Sequence, residues 1–178
     1  MKMKKTKSSK QRGMSLIELL VAITVLMIGV TGCMCVIPFT IGMDYRNKQQ
    51  SSSTVIAQMV TEKIMSVSAG TSPVLTLADC AGNNPTINTA GSATGTGGAL
   101  TSNGDVDYSQ TQASGGAGYY MNWTTCGSTG QAATYDVRWN IKSPDGTIKI
   151  ITVSARLKNG ISGGSFALPV TIRSLVGS

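Results

Sequence analysis

The sequence predicts an α+β fold. A long N-terminal helix, apolar in its first half and amphipathic in its second, is expected to pack on a small antiparallel β-sheet, with a Gly/Ser-rich loop between them. Three observations lead there. The segment from Met14 to Met43 is an apolar run with no charged side chain after Glu18. Ile56, Val60, Ile64 and Val67 then recur at helical spacing. Near the C-terminus, YDVRWNIK alternates apolar and polar residues strictly, as a strand with one buried face does.

The charge is unevenly placed. The chain carries +7 overall, yet residues 1–13 hold Lys2, Lys4, Lys5, Lys7, Lys10 and Arg12 with no acid. That leaves nine basic residues against eight acids in the rest. A basic head on a near-neutral body points to membrane targeting rather than to a nucleic-acid surface. Positive charge beside a membrane segment keeps that side cytoplasmic, so the body belongs on the outer face. The run from Met14 to Met43 is long enough to span, since the hydrocarbon core takes about 20 helical residues. Pro38 removes a backbone donor and is expected to bend or loosen the helix nearby. Gly29 and Gly32 suit close helix approach, or else weaken the helix locally beside Pro38.

Residues 44–70 read as the amphipathic continuation of the same helix, stopped by Gly70 and Pro73. The third region, 71–178, begins as loop. From Ala78 to Gly118 it is dominated by Gly, Ser, Thr, Asn and Ala, with stretches such as GSATGTGGA that bury little, so a loop with room for short strands is expected. The strand Tyr135–Lys142 follows, then Ser143-Pro144-Asp145-Gly146 as a reverse turn. In TIKIITVSARLK, Ile151, Val153, Ala155 and Leu157 share a face, and the slipped phase at Ile150–Ile151 suggests a bulge. Phe166, Leu168, Val170 and Ile172 form a third expected strand, which Pro169 places at an edge. The amphipathic half of the helix is the natural cover for the apolar face of this sheet.

The cysteines fall into two kinds. Cys33 and Cys35 lie in the apolar run, whereas Cys80 and Cys126 lie in polar, Gly-rich sequence. If the body is exported, Cys80–Cys126 is the expected disulfide, worth roughly 4 kcal/mol in the chain-entropy model. In a reducing compartment both stay free thiols. No C-x-x-C pair supports a zinc site, no metal is expected, and the sequence points to no cofactor.

Glu18 asks for an explanation, because a carboxylate at the front of a membrane-seeking run is costly. Helix chemistry offers one: Ser15-Leu16-Ile17-Glu18 fits a capping box, and the helix dipole stabilises a carboxylate in the first turn. A secretory signal offers a second. No A-x-A step follows Ile37, but Val30-Thr31-Gly32-Cys33 resembles the lipobox of bacterial lipoproteins, which would make Cys33 a lipidated first residue. Neither explains a basic, acid-free leader that ends in Gly13 immediately before the run.

KSSKQRGMSLIELLVAITVLMIGVTG resembles the class III signal of type IV prepilins and type II secretion pseudopilins. The resemblance implies cleavage after Gly13 by a membrane peptidase and N-methylation of Met14. Glu18 falls on the fifth mature position, where the family has glutamate; most members have Phe where this chain has Met14. Ile28-Gly29-x-x-Gly32 further resembles the I-G-x-x-G of V-type minor pilins. A pilin-like fold is implied, with 1–13 a cleaved leader, 14–43 the filament-core helix, 44–70 its continuation and 71–178 a periplasmic or extracellular domain. The implied partners are a prepilin peptidase, other pilins or pseudopilins, the inner-membrane assembly platform with its ATPase, and membrane lipid before assembly. In a helical stack the Glu18 carboxylate would meet the Met14 amine of a neighbour, and each buried charge would offset the other.

Other function classes remain beside the structural one. A lipoprotein lipidated at Cys33 is one alternative. An adhesive or DNA-uptake module at a filament tip is another, with Tyr119, Tyr120 and Trp123 as stacking residues or simply as core. Nucleic-acid binding lacks a basic patch, because Arg138, Lys142, Lys149, Arg156 and Lys158 are spread along two strands. Enzyme activity has the least support: the chain has no histidine, and no Ser-Lys or metal constellation stands out. Asp105 and Asp107 read either as turn residues or as oxygen ligands for calcium.

Overall fold

The structure, a computed structural model, describes residues 15–127, 132–158 and 168–177. The chain divides into two compact units, with the boundary between Asp44 and Tyr45. Helix α1 covers Leu16–Met65 and runs through Pro38 without interruption. In the second unit, α1 buries Gln49, Ser53, Ile56, Ala57, Val60, Thr61 and Ile64, a stripe at three- and four-residue steps.

The helix ends before Gly70, where the sequence had placed its stop. After Met65 the backbone tightens: the Val67 N–H donates to the Ile64 carbonyl, three residues back. The Ser66 hydroxyl bonds the Lys63 carbonyl at 2.7 Å and the Thr71 hydroxyl bonds that of Ser68 at 3.1 Å. Serine and threonine thus offer the backbone partners outside the helical ladder. Val67 stays buried in this turn.

The strands are β1 (Val74–Thr76), β2 (Thr86–Asn88), β3 (Thr96–Gly97), β4 (Tyr120–Thr124), β5 (Thr134–Lys142), β6 (Ile148–Leu157) and β7 (Val170–Gly177), with a short 3-10 helix at Gln112–Gly115. β1 and β2 form a two-stranded sheet. The main sheet runs β3-β5-β6-β7, with β4 also paired to β5, and all its pairings are antiparallel. Tyr135, Val137, Trp139 and Ile141 of β5 and Ile151, Val153, Ala155 and Leu157 of β6 form one core with Ile56, Ala57, Val60 and Ile64 of α1. The β5–β6 turn is held by the Asp145 carboxylate, which accepts the Thr147 and Ile148 N–H groups at 3.0 Å each.

Two expectations for the sheet are corrected. No bulge interrupts β6: its register runs continuously from Lys142↔Ile150 to Tyr135↔Leu157. The apparent slip arises because Lys149 takes a core-side position, 2% exposed, with its ammonium on the Thr71 carbonyl. Burial pushes the Lys149 pKa down, since it disfavours the charged form. Nor is β5 buried on one face alone. Asp136, Arg138 and Asn140 are buried too, because the Gly-rich segment lies over them. The third strand starts at Val170, after Pro169, and continues to Gly177 at the sheet edge. Phe166 lies outside the described residues.

That Gly-rich segment is structured. The Gly98 N–H donates to the Trp139 carbonyl at 2.8 Å, and the Trp139 indole donates to the Asn88 carbonyl at 3.0 Å. Gly97, at φ +112°, sits where a Cβ would overlap the Trp139 carbonyl and the Tyr119 ring. Glycine there permits a close backbone approach, in a segment whose composition predicted a loop that buries little.

Candidate functional site: the N-terminal segment of α1

The first turn of α1 is closed by the Ser15 carbonyl, which accepts the N–H groups of Glu18 at 3.0 Å and Leu19 at 3.2 Å. Glu18 therefore sits where the helix dipole favours a negative charge. Among the described residues this turn is closed by backbone bonds, without the side-chain bonds of a capping box.

From Leu16 to Met43 every residue is exposed, and Leu16 is 82% so. The hydroxyls in this stretch are satisfied locally: Thr24 on the Val21 carbonyl, Thr31 on that of Met27, Thr40 on that of Ile37. Such back-bonding lets a hydroxyl enter an apolar medium at low cost. Among the described residues no side-chain or backbone donor bonds the Glu18 carboxylate. It is the one charged side chain of this exposed apolar stretch. Among the described residues, α1 is also the one helix long and apolar enough to cross a membrane.

Gly13 and Met14 lie outside the described residues. A Cβ at Gly29 or Gly32 would meet nothing within 4 Å, so neither glycine has a packing partner among the described residues. The missing side chain of Gly32 leaves a notch on one helix face, lined by Met27, Ile28, Thr31 and Cys35. Cys33 and Cys35 are free and exposed, while Cys80 and Cys126 are joined in a disulfide with Cα atoms 5.4 Å apart. Beside that bridge, the buried Asp79 carboxylate accepts the N–H groups of Ala81, Asn83 and Thr124 and the Asn83 amide. Burial pulls its pKa up, but these hydrogen bonds outweigh burial and hold it below the usual value.

Sequence reasoning missed the polar cluster on the outer face of the sheet. Arg138 grips Asp136 through both carboxylate oxygens, at 3.0 and 2.8 Å, and Arg156 lies 3.5 Å from the same carboxylate. Gln112 donates to Asp136 at 2.7 Å, and both guanidinium groups face the Tyr108 ring, at 4.7 and 4.2 Å. Burial pushes the Tyr108 phenol well above its ordinary pKa. Its partners lie 28 or more residues away, so no local pattern announces the cluster.

The stacking residues do not share a surface. Tyr119 is buried beside Trp139, with its hydroxyl on the Ala90 carbonyl at 2.8 Å. Tyr120 pairs with Arg138 on the outer face and Trp123 with Tyr135 on the core face. Asp105 is taken by Arg173 at 3.0 Å, and Asp107 accepts the Ser109 N–H at 2.8 Å. No cluster of three metal-ligating side chains occurs among the described residues.

Residues 8–34 match the family model of the prokaryotic N-terminal methylation motif. Searches of the curated proteins and of the solved structures each returned no significant match. The match begins in the basic leader, contains Glu18 and ends within the apolar helix. The chain therefore carries a type IV pilin-like class III signal, and that motif implies the type IV pilin and pseudopilin family, with processing by a prepilin peptidase.

Proposed function

We propose that this chain is a minor structural subunit of a type IV pilus or pseudopilus, cut between Gly13 and Met14, N-methylated at Met14, and assembled through Glu18. Before assembly it resides in the inner membrane, leader side cytoplasmic and domain periplasmic. It then passes to the filament, and its role there is structural rather than enzymatic. The observation that carries this reading is the methylation motif at 8–34, which runs into an exposed apolar stretch of α1, Leu16 to Met43, whose single charged side chain is Glu18. A carboxylate in that setting is stabilised by the new Met14 amine of a neighbour, which fixes axial register while the apolar helices supply packing. The notch at Gly32 gives such packing a place to start. Docking with other subunits at the filament tip or base, and priming of assembly, follow from the minor role.

Intact mass and N-terminal sequencing of the protein from its native membrane test the processing step. A chain starting at N-methylated Met14 is expected, whereas one starting at lipidated Cys33 overturns the filament reading. Glu18→Ala tests assembly. Cleavage at Gly13 should proceed as in the unaltered chain while incorporation into filaments is lost, and normal incorporation would remove Glu18 from the mechanism.

A further inference from the structure

The Cys80–Cys126 bond joins the loop between β1 and β2 to the residues that follow β4. Both cysteines are exposed, and their Cα atoms, 5.4 Å apart, stand at an ordinary disulfide spacing. The backbone on either side is held by bonds that need no sulfur. Oδ1 of Asp79 accepts the N–H groups of Ala81 at 3.0 Å and Asn83 at 2.8 Å, which closes the loop around Cys80. Oδ2 accepts the Asn83 amide at 3.0 Å and, from β4, the Thr124 N–H at 3.2 Å. The Cys80 N–H donates in turn to the Thr124 carbonyl at 3.3 Å. Asp79, itself 7% exposed, thus clips the loop to β4. On the Cys126 side, the Thr125 N–H donates to the Ala133 carbonyl at 2.9 Å, and Thr124 pairs with Thr134 of β5. The chain between the cysteines is anchored as well, because Ile87, Tyr119 and Met121 belong to the core.

We propose that Asp79 is a positioning residue for this disulfide: it sets Cys80 against Cys126 while both are still thiols, so that the bond is made last, on a folded domain. Oxidation before folding has nothing to select this pair, since four cysteines allow three full pairings. Exposure lets an external disulfide reach the folded dithiol. One cysteine, as thiolate, attacks that disulfide and forms a mixed disulfide, and the first donor sulfur leaves. The second cysteine then attacks the protein sulfur of the mixed disulfide. The Cys80–Cys126 bond forms and the second donor sulfur leaves. Two electrons pass to the donor, and the two thiol protons end on its two sulfurs. Because the Asp79 clip and the disulfide close the same gap, each strengthens the other by linkage. This inference is independent of the filament reading.

The test uses the full chain in detergent micelles, with Cys33→Ala and Cys35→Ala removing the other thiols, equilibrated with mixtures of reduced and oxidised glutathione. The fraction oxidised at Cys80 and Cys126 gives an equilibrium constant for the bond. Asp79→Ala is expected to lower that constant about tenfold, since it removes a charged acceptor from the gap. Asp79→Asn should lower it too: one acceptor oxygen remains, and the new amide faces the Asn83 amide and the Thr124 N–H donor to donor. Ile64→Ala, a core change at a residue that takes no part in these bonds, should leave the constant within about twofold. A constant unchanged by the Asp79 substitutions, or lowered as far by Ile64→Ala, overturns the proposal. A second variant, Cys80→Ser with Cys126→Ser, tests the order of events by hydrogen exchange. The backbone amides at positions 80 and 124 should stay protected without the disulfide, and loss of protection there overturns closure before oxidation.

Discussion

The two halves of α1 share one backbone ladder and differ in who completes them. From Leu16 to Asp44 every side chain is exposed, and the hydroxyls turn back onto the helix's own carbonyls. From Tyr45 to Met65 the helix buries Ile56, Ala57, Val60 and Ile64 in the core it shares with β5 and β6. The first half has an apolar surface all round, and among the described residues no face of it is covered. The second half has a stripe, and the stripe has its partner within the domain. Stability in the second unit therefore draws on packing of α1 within that unit, which the first half lacks among the described residues.

This contrast can be tested by unfolding the full chain in detergent micelles with denaturant, following tryptophan fluorescence. The largest loss is expected from Arg138→Ala. It leaves the Asp136 carboxylate buried without its bidentate partner, a defect of about 3–5 kcal/mol. Ile64→Ala comes next, at about 2–5 kcal/mol, because it opens a cavity where the helix meets the sheet. Gly97→Ala should cost about 1–3 kcal/mol, since the residue holds a positive φ against the Trp139 carbonyl.

A gentler effect appears on acidification. The Asp79 pKa is depressed in the folded chain, so its contribution is fully present above the ordinary carboxylate pKa and is lost as pH falls through the depressed value. The midpoint for unfolding should drop across that acid window, and Asp79→Asn should flatten that part of the profile. The smallest effect is the control: Leu26→Ala, in the first half of α1, should change the domain's unfolding by less than about 0.5 kcal/mol. If Leu26→Ala and Ile64→Ala proved equally damaging, the division of labour along α1 would be wrong.

Much of the fold was legible because it is local. Ile56, Val60, Ile64 and Val67 announce a buried stripe, and all four are buried. Tyr135, Val137, Trp139 and Ile141 announce the core face of β5, and the turn at Ser143–Gly146 joins it to β6 as its residues require. The N-terminal signal was legible for the same reason, since leader charge, Gly13, Glu18 and the apolar run follow one another along the chain. What failed was inference about the second face of the sheet. Asp136, Arg138 and Asn140 look like solvent-facing residues in any short window, and Ile148 and Ile150 look like a shifted core.

By itself, the sequence determined the long helix and where its apolar character gives way to a stripe, the β5–β6 hairpin, and the methylation signal with its carboxylate. Each depends on residues within a few positions of one another, through periodicity, turn chemistry and charge order. Only the tertiary structure decided that the Gly-rich segment folds over the sheet, that Tyr108 faces Arg138 and Arg156, and that Lys149 turns inward to Thr71. Those outcomes join residues far apart in sequence, such as Lys149 and Thr71 at a separation of 78. Burying a charge or a peptide group is tolerable only when distant partners satisfy it, and no local pattern records which distant residues will do so.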